Sequence, residues 1–226
     1  MVSTRILSKD ELKETRAKIC YILSTDVCLE QFSKKTKRLN RRIYSLLNAG
    51  GGRFLRGETL YEDAVKTLLT TNASWSFTKL MCENLIFLAA AHRNKPNSTE
   101  IFPTPKEVRQ LPISTLQKKG KLGYRAVYLH NLTDWFLANE GTYNDTNDII
   151  AGLTAVKGLG PYSINHISVL LGNYSTLPLD SEVRAFCKGK GLESDTEIET
   201  HYEKWKPYQF LGYKLSRVAE KCNWIG

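Results

Sequence analysis

Apolar residues along this chain recur mostly at intervals of three and four, the spacing of one helix face, and strand-like alternation is not the dominant signal. Ser8 and Glu11 form a capping-box signature that opens a helix running toward Leu23, and Thr59 with Glu62 repeats it ahead of EDAVKTLL. A longer amphipathic stretch follows from Ser74 to about Ala91. RNKPNSTEIFPTP (Arg93 to Pro105), rich in proline and polar residues, reads as the longest loop. Helical patterns resume over Pro105–Leu111, Ser114–Lys119, Arg125–Asn139 and Asp145–Val156, and then over Ser181–Lys190, Asp195–Trp205 and Gln209–Cys222. The expectation is an all-α chain with short connections and no internal repeat.

One connection stands apart. LTAVKGLGPYSINHISVLLGNYSTLPLDSEVR (Leu153 to Arg184) joins an apolar run, a Gly-Leu-Gly turn, a helix started by Pro161 and a loop ending in the carboxylate of Asp180. Proline suits the first position of a helix, and Gly158 and Gly160 are expected to provide backbone geometry that a side chain would forbid. A hairpin of this kind turns bare amides outward at a helix N-terminus, where a phosphate can sit.

Composition agrees with a polyanionic partner. The 226 residues carry a formal net charge of +9 at a hydrophobic content of 42%, enough to bury a core as one domain or two joined lobes. The five cysteines (Cys20, Cys28, Cys82, Cys187 and Cys222) are odd in number and include no CxxC pair, which points to a reducing compartment. The four histidines show no metal-ligand spacing with one another. MVSTRILSKDELKETRAK lacks the apolar centre of a signal peptide, and no run is long enough to span a membrane. An intracellular protein is expected, cytoplasmic or nucleoid-associated in a prokaryote and nuclear in a eukaryote. For the basic run KKTKRLNRR (Lys34 to Arg42) backbone-phosphate binding and a nuclear import signal are alternatives, but it reads first as a solvated helix face and is given no site role.

The hairpin with its following aspartate resembles the helix-hairpin-helix (HhH-GPD) DNA glycosylase superfamily, whose signature is L-P-G-[VI]-G followed by V-D or L-D. Two further segments resemble it in the same order: LYEDAVKTLLTTNASWS (Leu60 to Ser76) and LGYRAVYL (Leu122 to Leu129), the latter like the G-Y-R-A segment of 8-oxoguanine glycosylases. The resemblance implies a two-lobed all-α fold with the active-site cleft between the lobes. Residues 55–185 would form the central lobe with the hairpin, and residues 1–54 plus 186–226 the other. It also implies a monomer acting on double-stranded DNA that contains a damaged base.

The resemblance assigns roles residue by residue. Asp180 takes the place of the catalytic aspartate, where a carboxylate stabilises positive charge building on the sugar and orients or deprotonates water. Its plain alternative is a helix N-cap. Tyr162 stands where bifunctional members carry a lysine. A phenol cannot form the Schiff base that an amine forms, so no lyase activity is expected. Tyr162, His166 (four residues on, sharing its helix face) and Trp75 are expected to line the base pocket, with Tyr208, Phe210 and Tyr213 completing it. The alternatives are core packing for the aromatics and a satisfied structural role for His166.

Asn72, Tyr124 and Arg125 match the strand-invading set: a plug, a wedge and an arginine to the opposite base. Otherwise they are a turn residue and the start of a helix. Gly158 and Gly160 would meet the DNA backbone. Relatives bind a potassium or sodium ion through hairpin carbonyls, here those of Thr154, Val156 and Leu159. The iron–sulfur cluster of some members needs four cysteines after the aspartate, and only Cys187 and Cys222 lie there, so no such cluster and no required cofactor is expected.

The reading is therefore a monofunctional DNA glycosylase that excises a damaged base by hydrolysis and leaves an abasic site in base excision repair, with an alkylated purine ranked first. The alternatives are an 8-oxoguanine or a uracil/thymine-mismatch glycosylase, or a non-catalytic DNA-binding protein built on the hairpin.

Overall fold

The computed structural model describes residues 8–92, 101–140, 142 and 145–222. Its regular elements are helices α1 (Lys9–Ile22), α2 (Glu30–Leu39), α3 (Arg41–Asn48), α4 (Leu60–Thr70), α5 (Trp75–His92), α6 (Pro105–Gln110), α7 (Ile113–Lys118), α8 (Arg125–Ala138), α9 (Thr146–Thr154), α10 (Pro161–Leu170), α11 (Ser181–Lys188), α12 (Asp195–Glu203) and α13 (Gln209–Lys221). No strand occurs among the described residues, so the all-α expectation holds. Most of the loop expected from Arg93 lies outside the described residues.

Local chemistry sets the helix ends. Ser8 and Glu11 close a reciprocal capping box at α1. At α4 Thr59 accepts from the Glu62 amide, while the Glu62 carboxylate pairs with Lys66 one turn on. Two further capping boxes, Thr104 with Glu107 and Ser194 with Glu197, open α6 and α12. The basic run is split by Asn40, whose extended backbone ends α2 and whose side chain accepts from the Ile43 amide to start α3.

The chain divides into two compact units, Met1–Glu58 with Tyr174–Gly226, and Thr59–Asn173. The second unit is built on α4, which packs on α5, α8 and α10. Ala64, Val65, Leu68 and Leu69 of α4 are buried with Leu85 of α5, Leu129 and Leu132 of α8, and Ile167 of α10. Each of these valine, leucine and isoleucine side chains contributes about 1.5–3 kcal/mol by leaving water. The Tyr61 hydroxyl bonds Thr133 at 2.8 Å, and burial pushes the phenol pKa well above its ordinary value.

In the other unit α13 packs on α3 and α12. Phe32, Ile43, Tyr202, Trp205, Leu211 and Tyr213 fill its interior. Residues 174–185, expected with the central helices, belong here. The Phe210 amide donates to the Tyr174 carbonyl at 3.0 Å, the Tyr174 ring lies 6.0 Å from Phe54, and Glu182 pairs with Arg217 at 2.7 Å. The boundary therefore falls after Asn173, not after residue 185.

Candidate active site

The hairpin is α9, a tight turn and α10. Leu153, Val156 and Leu159 point into the core and anchor the turn from below. Gly158 is required twice over: its φ is +114°, and an added Cβ would lie 2.5 Å from Cβ and Cγ of Tyr128. Gly160 corrects the expectation. Its φ of −87° and ψ of 177° are ordinary extended backbone, and a Cβ there would meet nothing within 4 Å. The fold does not need glycine at 160. A small residue there instead leaves open approach to the start of α10, which begins with Pro161 and has no side-chain cap. Uncapped first-turn amides and the helix dipole are suited to an anion.

Just inside that turn, Tyr162 and His166 lie on one face of α10 with their rings stacked, 6.2 Å apart and 13° from parallel. Both are exposed, Tyr162 at 46%. The core-packing alternative for Tyr162 is thereby removed. Trp75, at the start of α5, is 81% exposed, so core burial is likewise removed for it. Such aromatic faces can take a planar base by stacking.

The third group in this unit is the turn after α4. Asn72 is exposed and left-handed, at φ 51°. Arg125 reaches it from the start of α8: Nε donates to the Thr71 carbonyl at 3.2 Å, and Nη2 donates to the carbonyls of Thr71 and Asn72. Its guanidinium also lies over the Tyr124 ring, 4.6 Å from the centroid, and the residue is only 6% exposed. Arg125 in this structure is thus turned onto its own backbone turn and not outward, in contrast to the expected contact with an opposite base. Tyr124 is 51% exposed and edge-on to Tyr128 at 5.8 Å.

Tyr128 was not singled out from sequence. It packs beneath Gly158 and beside Tyr124, and Asn131 one turn later donates to the Lys157 carbonyl at 3.3 Å. Helix α8 therefore fixes both the hairpin turn and the 71–72 turn. The i, i+4 spacing of Tyr124 and Tyr128 was the available signal. The carbonyls of Thr154, Val156 and Leu159 belong to the end of α9 and the turn, where that of Val156 accepts from the Leu159 amide at 3.2 Å. No cluster of three metal-ligating side chains occurs among the described residues.

In the other unit Asp180 is the N-cap of α11. Its Oδ1 accepts from the Val183 amide at 2.8 Å. The cap and a chemical role are compatible, because the cap uses one oxygen. Arg184, one turn later, makes a two-point pair with Asp195 at 2.9 and 3.0 Å, and this pair first, with the charges of Asp195 and Asp180, raises the Arg184 pKa.

The three C-terminal aromatics have different surroundings. Tyr208 is half-buried against Phe32 at 5.2 Å, and Phe210 is half-buried against Phe54 at 5.4 Å. Tyr213 is 2% exposed, packed on Phe186 and Tyr202, and burial raises its pKa. Its ring is part of the interior.

The sequence matches no protein-family model and no curated protein. Solved structures do resemble it. The 8-oxoguanine glycosylase/lyase of Clostridium acetobutylicum in its apo form superposes with a TM-score of 0.66 at 18% identity, over 92% of this chain and 76% of that one. The same enzyme in complex with double-stranded DNA containing cytosine opposite to 8-oxoG gives 0.63 at 17%, over 96% and 77%. The DNA-3-methyladenine glycosidase of Bacillus halodurans gives 0.60 at 15%, over 91% and 90%. The chain therefore shares the all-helical fold of these solved structures.

Proposed function

We propose that this protein is a monofunctional DNA glycosylase that removes a damaged base by hydrolysis and leaves an abasic site. The observation that carries the reading is the pair on α10. Tyr162 and His166 offer a stacked, exposed aromatic face directly behind an uncapped helix start, and the position that would hold a lysine holds a phenol. With no amine there, the chemistry falls to Asp180, whose carboxylate stabilises the oxocarbenium-like sugar and orients water.

In this reading the hairpin amides around Gly158 and Gly160 hold backbone phosphate, and a potassium or sodium ion on the carbonyls of Thr154, Val156 and Leu159 would strengthen that hold. Asn72 and Tyr124 fill the gap left by the extruded base, with Arg125 holding the Asn72 turn in shape. Trp75, Tyr208 and Phe210 are further candidates to face the base, and Tyr213 packs against Phe210 at 6.3 Å.

An alkylated purine is the favoured substrate class. Its cationic base is already a good leaving group, so a carboxylate alone suffices. An oxidised purine is the second reading, favoured by Tyr124 in its GYRA segment and by the likeness to an 8-oxoguanine glycosylase/lyase. Duplexes carrying an alkylated purine, 8-oxoguanine, or uracil or thymine in a mismatch separate the readings. Alkali-revealed strand breaks are expected first on the alkylated purine. Breaks on none of these duplexes, with duplex binding retained, would instead favour a DNA-binding protein without catalysis.

A further inference from the structure

The basic run that the catalytic reading leaves unused is one wall of a surface cleft. Lys34, Lys35 and Arg38 of α2 line a cleft of about 530 Å³ together with Lys204, which follows α12. Lys35 Nζ donates to the Lys206 carbonyl at 2.5 Å and ties the two walls together. A second cleft of about 160 Å³ shares Leu39 and Lys204 with the first and adds Arg42, Lys190 and His201. The two thus form one trough.

Charge in the trough is one-sided. Among the described residues Glu220 is the only carboxylate in the lining and it pairs with Lys190, while Lys34 pairs with Glu30 outside it. Among the described residues no ion pair holds Arg38, Arg42 or Lys204, and all three are exposed. Burial first, then the charges of Lys204 and Lys190, hold the His201 imidazole below its usual pKa. The positions are built for cation display. Phe32 and Thr36 are the buried residues of α2, and the Asn40 cap starts α3, whose Arg42 lines the second cleft.

We propose that this trough is a second binding site for nucleic-acid backbone phosphates, separate from the hairpin, and that its ligand is duplex DNA. The choice of duplex DNA over another polyanion rests on the glycosylase reading; the phosphate chemistry does not. A row of exposed cations along a trough meets the backbone and not base edges, so this site binds damaged and undamaged duplex alike.

The test measures binding of an undamaged, fluorescent 20-base-pair duplex across salt concentrations for the full chain and three variants. Neutralising Arg38→Gln, Arg42→Gln and Lys204→Gln together should make the slope of log K against log salt shallower by about 2–3, at about 0.9 for each phosphate that is no longer neutralised. Neutralising Lys9, Lys13 and Arg16 of α1 changes net charge equally and should leave the slope near wild type. Exchanging Arg38→Lys, Arg42→Lys and Lys204→Arg should also retain it, which separates charge from misfolding. An unchanged slope in the first variant, or an equal change in the α1 control, overturns the proposal. So does loss of polyglutamate binding with the duplex slope intact, which would make the ligand an acidic protein. Excision of a lesion at saturating DNA should survive the first variant. Absent excision in the wild type would count against the glycosylase reading and leave the slope comparison standing.

Discussion

Arg125 donates through Nη2 to the carbonyl of Asn72 at 3.1 Å, and so holds a left-handed residue from a helix start 53 positions later in the chain. The same guanidinium serves the Thr71 carbonyl and lies over Tyr124. One buried cation thus fixes the backbone of the proposed plug and the ring of the proposed wedge. Its removal acts on both through structure.

Arg125→Ala should lower stability by about 1.5–3 kcal/mol, because hydrogen bonds from a charged group are lost. Arg125→Lys should recover only part of this, since an ammonium lacks the planar fork that spans two carbonyls. Urea unfolding with an unchanged m-value checks it. A wild-type midpoint for Arg125→Ala would show that the turn holds itself.

The two hairpin glycines should separate. Gly158→Ala combines a left-handed backbone with a clash against Tyr128 and should cost about 2–4 kcal/mol of stability. Gly160→Ala should fold like wild type and lose affinity for every duplex, damaged or not, because the methyl intrudes only where a phosphate would approach. Thermal melts alongside duplex titrations decide this. Equal stability losses would contradict the assignment.

The helices were legible where their signals are local. Ser8 with Glu11, and Pro161 after Gly-Leu-Gly, each fix an end within four residues, and each was read correctly. What stayed hidden depends on distant partners. Nothing in GYRA tells whether an arginine points to solvent or to a turn 53 residues earlier. Both hairpin glycines looked alike, and the left-handed backbone of Gly158 together with Tyr128 beneath it distinguishes their roles. The Asn40 cap was masked by the charges around it, so two helices read as a single basic face. Residues 174–185 follow the hairpin in sequence but pack through Tyr174 and Glu182 with the terminal helices.

Borohydride should trap no covalent complex between protein and lesion DNA, because the phenol of Tyr162 cannot form an imine. Strand breaks should appear only after alkali or an added abasic endonuclease. A robust trapped adduct would mean that another amine, with the N-terminus and Lys157 the first to test, performs lyase chemistry.

Tyr162→Phe should excise at close to the wild-type rate, since the stacking face remains. Tyr162→Ala should lose about 5- to 160-fold, in line with about 1–3 kcal/mol per stacked base. Single-turnover excision on the best lesion of the panel reads both. A Phe variant as impaired as the Ala variant would assign the role to the hydroxyl and not to the ring.

The most direct measurement is single-turnover excision by Asp180→Asn, with duplex affinity recorded on the same protein. Asparagine retains the cap to the Val183 amide, so the fold and DNA binding should persist. Excision should fall by about 10²–10³ or more, as expected when a preorganised charge is removed from a developing cation. Excision near the wild-type rate, with affinity unchanged, would contradict catalysis by Asp180 and leave that carboxylate only its role as a helix cap.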